Sequence, residues 1–118
     1  MGDTFDPRGA PARAAPARRW RLAGAEIAAA LAALPGWSAD ADRLVKVYRF
    51  DGWRATISFV DALAALADDV DHHPNLVVGW GRCEVAWRTH DAGGVTRTDL
   101  ACAVRTDALA GARNGRPE

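Results

Sequence analysis

Residues 44–90 read LVKVYRFDGWRATISFVDALAALADDVDHHPNLVVGWGRCEVAWRTH, and along them the spacing of apolar side chains changes twice. The opening Leu44-Val45-Lys46-Val47-Tyr48-Arg49-Phe50 is dense in β-forming residues and predicts a strand. From Trp53 the period lengthens. Trp53, Ile57, Val60, Ala64 and Ala67 form one helical stripe, and Phe59, Leu63, Leu66 and Val70 a neighbouring one, so a helix is expected over residues 53–70. Its apolar face is wider than one sheet needs, which leaves two uses for it: burial within the monomer, or contact with another subunit. Beyond Pro74 the short period returns, with strands expected over residues 76–80 and 82–89. In the second, Cys83, Val85, Trp87 and Thr89 alternate with Glu84, Ala86, Arg88 and His90, giving an apolar face and a polar one that carries His90.

Upstream, Ile27, Leu31 and Leu34 recur at helical spacing in an Ala-rich segment that stops at Pro35-Gly36, so a first helix is expected over residues 24–34. Trp37 and the turn-forming Ser38-Ala39-Asp40-Ala41-Asp42 then lead into the first strong strand, as a hairpin would. Downstream, Thr96 stands three residues before Asp99 and ahead of Leu100, Val104 and Ala108, the signature of a capped helix N-terminus. The order is α-β-β-α-β-β-α. This predicts an α+β fold whose four-stranded, mainly antiparallel sheet carries its helices on one face, the other being left to a ligand, a partner or water.

The 118 residues allow one core, assigned to residues 20–110. Residues 1–19, rich in Pro, Ala, Gly and Arg without apolar periodicity, are expected to be a disordered tail, and residues 111–118 a second frayed end. Fifteen basic residues balance fifteen acidic ones, which gives no field to attract nucleic acid. No run is long and apolar enough for a membrane span, and the N-terminus has no apolar signal core, so a cytoplasmic protein is expected. Cys83 and Cys102 fit neither a disulfide framework nor a CxxC pair and are expected to be buried thiols.

All three histidines fall within residues 72–90, and two are adjacent in Asp71-His72-His73-Pro74. Pro74 disfavours helical geometry at His73, so the pair is expected in a defined loop, with His90 returning beside it on the neighbouring strand. Imidazoles that converge there could exchange protons near neutrality. Three histidines could also bind zinc, but adjacent side chains diverge and no HxH or HxxxH spacing is present; no metal is expected. The plainer alternative is three surface imidazoles, each hydrogen-bonded locally.

The run Asp68-Asp69-Val70-Asp71-His72-His73-Pro74, an aromatic at Trp80, and Thr89-His90-Asp91-Ala92-Gly93-Gly94-Val95-Thr96-Arg97-Thr98-Asp99-Leu100 together resemble the signature of the pterin-4a-carbinolamine dehydratases. The likeness covers residues 20–109, and the element order is also that family's. It implies that His72, His73 and His90 surround a pterin, that Asp99 orients a histidine besides capping its helix, and that Asp68, Pro74 and Trp37 line the pocket. Trp80, by contrast, is expected in the core, with Trp53 and Trp87 structural. Asp68 stands where the family commonly has glutamate. The implied reaction removes water from a 4a-hydroxytetrahydropterin to give a quinonoid dihydropterin, with His72 and His90 as acid and base in either order, His73 orienting the substrate, and no cofactor. Such an enzyme recycles the pterin of aromatic amino-acid hydroxylases; if the wide apolar face of the second helix is an interface, a homodimer or homotetramer is expected. The alternatives are a non-catalytic relative serving Rubisco assembly or transcription-factor dimerisation, and a dehydratase-like protein of molybdopterin metabolism.

Overall fold

The computed structural model describes residues 20–118, so the expected N-terminal tail lies outside the described residues. Helix α1 spans Gly24–Leu31, strands β1 and β2 span Ser38–Asp40 and Arg43–Arg49, and helix α2 spans Trp53–Val70. Strands β3 (Asn75–Gly79) and β4 (Arg82–Trp87) follow, then a 3-10 turn at His90–Ala92, helix α3 (Arg97–Gly111) and a short β5 (Arg116–Pro117). The sheet is antiparallel throughout, in the order β1-β2-β4-β3, with β5 also pairing β2.

The register of β2 on β4 sets Leu44 beside Trp87, Lys46 beside Val85 and Tyr48 beside Cys83, all on the face that packs against the helices. There they meet Phe59, Leu63 and Leu66 of α2 and Cys102, Ala103 and Ala110 of α3 in one core. The α+β architecture therefore matches the period changes of the sequence.

Four details differ from expectation. Helix α1 stops at Leu31, and Leu34 closes a tighter turn onto the Leu31 carbonyl (3.0 Å), because the residue before Pro35 is driven out of helical geometry. The end expected to fray beyond residue 110 instead adds a fifth strand. Glu118 N donates to the Val47 carbonyl (2.9 Å), its carboxylate takes the Arg82 guanidinium (2.9 Å), and Gly115 passes so close to Phe50 that an added Cβ would meet the ring at 2.6 Å. A two-residue strand has no period for a sequence to display. Helix α2 buries Thr56, Phe59, Leu63, Leu66 and Ala67 but leaves Trp53 (50%), expected to be structural, and Ile57 (39%) in solvent. Trp80, expected in the core, is 70% exposed at the turn between β3 and β4.

Both thiols are buried, and burial pushes Cys83 up from 9.0 to about 11; burial, followed by the charge of Asp99, raises Cys102. Burial and then the Asp107 carboxylate hold the Tyr48 hydroxyl far above the ordinary tyrosine range. In each case the folded chain keeps a proton that the unfolded chain releases at a lower pH, so stability falls as pH rises through that interval. Denaturant melts should show loss of stability between pH 9 and about 11, reduced in slope by Cys83→Ala; a flat profile across that window would contradict the burial of these groups.

Candidate active site

The end of α2 places the histidines. Asp71 adopts a left-handed conformation (φ 53°), its N–H turns back to the Asp68 carbonyl (3.4 Å), and His72 N–H reaches the Ala67 carbonyl (3.1 Å). This paired C-terminal motif reverses the chain within one residue and directs His72 toward α3 rather than onward along the helix axis.

The other half is built by the start of α3. Thr96 is the extended N-cap, and Asp99 reaches back to accept its N–H (2.9 Å), as the capping pattern predicts. That leaves a carboxylate with no solvent exposure, which must find donors elsewhere. Oδ2 also accepts from Thr89 Oγ1 (2.8 Å), whose oxygen lies 2.8 Å from Thr96 Oγ1. Oδ1 takes Nε2 of His72 at 2.6 Å. With both oxygens of a buried carboxylate acting as acceptors, the hydrogen sits on His72 Nε2, and Nδ1 carries the free lone pair. The imidazole stacks on Trp87 at 5.4 Å and 22° between planes; Trp87 is itself pinned by its N–H to Thr106 Oγ1 (3.0 Å). His72 is thus held in orientation and tautomer, with 17% of its side chain exposed.

The remaining expected residues divide. His73 pairs with Asp68 at 2.9 Å in solvent, 58% and 82% exposed, where such a contact adds little stability. Pro74 between them and β3 is half-buried. His90 is exposed on the 3-10 turn instead of on β4: the strand pairing stops at Trp87, and Thr89 closes a tight loop onto Gly94 through left-handed Gly93. His90 directly follows Thr89, whose hydroxyl reaches Asp99, but no hydrogen bond ties His90 or His73 to the His72–Asp99 pair. Trp37 is not brought there. Its indole N–H donates to Asp107 (3.1 Å), two turns further along α3 and about 12 Å from Asp99.

Two residues escaped the sequence reading. Thr89 completes the donor set of Asp99, a role visible only once the loop from residue 89 to 96 closes. Asp107 gathers Trp37, Lys46 (2.8 Å) and Tyr48 into a second polar cluster; a lysine at an inward position of β2 was the available signal that an acid stands opposite. Among the described residues no three His, Cys, Asp or Glu side chains assemble as metal ligands. A groove of about 510 Å³ runs between residues 20–26 and the start of α3, bordered by Arg21, Thr89, Thr96 and Arg97. None of the histidines lines it, so volume alone does not mark the chemistry.

The sequence model of one family, Pterin 4 alpha carbinolamine dehydratase, matches residues 20–109. The chain belongs to this family. A provisionally named pterin-4-alpha-carbinolamine dehydratase of Paracidovorax citrulli is 47% identical over 95 residues, covering 77% of this chain and 82% of its own length. One of Thermomicrobium roseum is 39% identical over 90 residues, covering 76% and 97%. Among solved structures, a transcriptional coactivator/pterin dehydratase from Brucella melitensis superposes with a TM-score of 0.75 at 31% identity, over 77% of this chain and 99% of that one. A pterin dehydratase-like protein described as a RuBisCO assembly factor of the alpha-carboxysome superposes with a TM-score of 0.55 at 30% identity, over 64% and 87%. This member of the dehydratase family thus carries its histidines on a fold shared by relatives described as catalysts and as assembly factors.

Proposed function

We propose that the chain dehydrates a 4a-hydroxytetrahydropterin to the quinonoid dihydropterin. The observation that supports this most directly is the buried His72–Asp99 pair, a histidine held in orientation and tautomer by a carboxylate with no solvent exposure. In the reaction the C4a–O bond breaks with its electron pair, the oxygen leaves as water after taking a proton, and a ring nitrogen gives up a proton as the new double bond forms. One proton is donated and one accepted, so the catalyst ends with its protons redistributed and needs no redox partner. His72 and His90 share the acid–base work, and His73 with Asp68 and Pro74 orients the pterin. The same proposal places the chain in the cytoplasm, recycling the pterin of a hydroxylase.

The test is stopped-flow absorbance with chemically generated 4a-hydroxytetrahydropterin. Wild-type protein should accelerate its decay, and His90→Ala should lose about 10²–10⁴ of that acceleration. No acceleration by well-folded wild type would instead favour the assembly role described for the alpha-carboxysome relative.

The exposed apolar surface belongs to the same proposal. Among the described residues, Trp53, Ile57, Val77 and Trp80 stand in solvent and the outer edge of β3 is unpaired, and a methyl placed at Gly52 would lie 3.9 Å from the Trp80 ring, so this surface runs from the α2 N-terminus to β3. A second copy of the chain is its occupant. Light scattering at micromolar concentration should report a dimer or tetramer, and a monomer would contradict it.

A further inference from the structure

We infer that Arg88, anchored by Asp42, fixes the tautomer of His90 and thereby makes that ring the hydrogen-bond donor of the site and not its proton acceptor. The tautomer follows from geometry, and only its catalytic consequence rests on the dehydratase proposal.

Arg88 is the last residue before the loop that carries the site. Thr89 is extended (φ −102°, ψ 105°), so successive side chains point to opposite sides: Thr89 goes to Asp99, while Arg88 and His90 share the other side. The guanidinium is not free to wander. One terminal nitrogen donates to Asp42 Oδ2 at 2.6 Å, beside the turn between β1 and β2, and the other stands 3.4 Å from His90 Nδ1. Its Nε is buried without a partner among the described residues, so the two outer contacts alone set its orientation.

A guanidinium offers five N–H donors, no acceptor and a permanent charge. Facing it, His90 Nδ1 can only accept, and the hydrogen of the neutral ring must reside on Nε2. A second proton on Nδ1 would set two N–H donors and two cations against each other. His90 therefore meets a ligand through Nε2–H.

His72 is the complement, for its Nε2–H is committed to Asp99 and its Nδ1 lone pair is available. In the proposed reaction His72 Nδ1 receives the proton leaving the pterin ring nitrogen. His90 Nε2–H hydrogen-bonds the hydroxyl oxygen as its bond to carbon breaks, a role that neutral imidazole performs toward oxygen elsewhere, and the departing hydroxide becomes water by taking the proton that His72 Nδ1 has received, so that both rings end as they began. Arg88 touches no reacting atom in this scheme and is a positioning residue.

Long-range proton–nitrogen NMR of the full chain reads both ring nitrogens directly. Wild-type His90 should show Nε2–H alone. Arg88→Glu replaces the donor by an acceptor and should convert His90 to Nδ1–H, Arg88→Ala should yield a mixture, and the His72 signals should stay in place in both. Dehydration by Arg88→Glu should fall about tenfold or more in kcat with KM within about twofold. An unchanged His90 tautomer in Arg88→Glu and Arg88→Ala overturns the inference. Inversion of the tautomer in a protein whose wild type does not dehydrate the pterin upholds it while removing the dehydratase proposal. Inversion with an undiminished kcat in an active enzyme overturns the donor role.

Discussion

Replacing Asp99 by asparagine is expected to reduce the proposed dehydration by about 10²–10⁴-fold, the range lost when an orienting carboxylate or a positioned acid–base group is removed. The carboxylate now accepts on both oxygens, from His72 on one and from Thr96 N–H and Thr89 on the other. An amide has a single acceptor. Its oxygen must stay on the Thr96 backbone N–H, because turning the NH2 there would set donor against donor. The NH2 then faces His72 Nε2, which can accept only if the hydrogen moves to Nδ1, the atom whose lone pair the reaction requires. The variant keeps its size and its helix cap, so it should remain folded with a melting temperature lowered by several degrees. Measurement of kcat together with thermal unfolding separates the two functions of this residue. A cooperative fold with near wild-type kcat would mean that Asp99 serves only as the helix cap.

Asp107→Ala should produce the largest loss of stability. Asp107 Oδ1 accepts from Trp37, Lys46 and Tyr48, and among the described residues the Lys46 ammonium, with 7% of its side chain exposed, has the Pro35 carbonyl (2.8 Å) as its one other hydrogen-bond acceptor. Removing the carboxylate strands a buried cation, an indole N–H and a phenol together. Breaking a buried pair costs about 3–5 kcal/mol, and because 31% of the Asp107 side chain is exposed, the low end applies, about 3 kcal/mol. For a domain of this size that corresponds to roughly 10–20 °C in melting temperature. The double variant Asp107→Leu with Lys46→Met should recover part of the loss, since an apolar pair leaves no charge unmet. Equal destabilisation of the single and double variants would show that packing, and not the stranded ammonium, sets the cost. The catalytic prediction at Asp99 and the stability prediction at Asp107 concern one helix, two turns apart.

Helix α2 and strands β2 and β4 were legible because each repeats a period over six or more residues, and a period is a local property of a chain. The cap at Thr96 and the concentration of histidines were legible for the same reason, being short motifs with a local mechanism. The pairing of His72 with Asp99 was not determined by spacing. It depends on the left-handed turn at Asp71, on the Thr89–Gly94 closure and on where α3 settles against the sheet, none of which leaves a periodic trace. Resemblance placed Trp37 with the histidines, but its indole N–H was claimed by Asp107 once β2 and α3 packed face to face. Trp80 and Trp53 have the composition of core residues and lie in solvent because the sheet ends and one stripe of α2 already fills the core. Burial is a property of the whole assembly of elements, so the sequence by itself determined which of the longer segments become helices and strands and where proton-active side chains concentrate. Only the tertiary structure decided which carboxylate each imidazole meets, because hydrogen bonds across long chain separations form wherever packing leaves a buried charge in need of a partner.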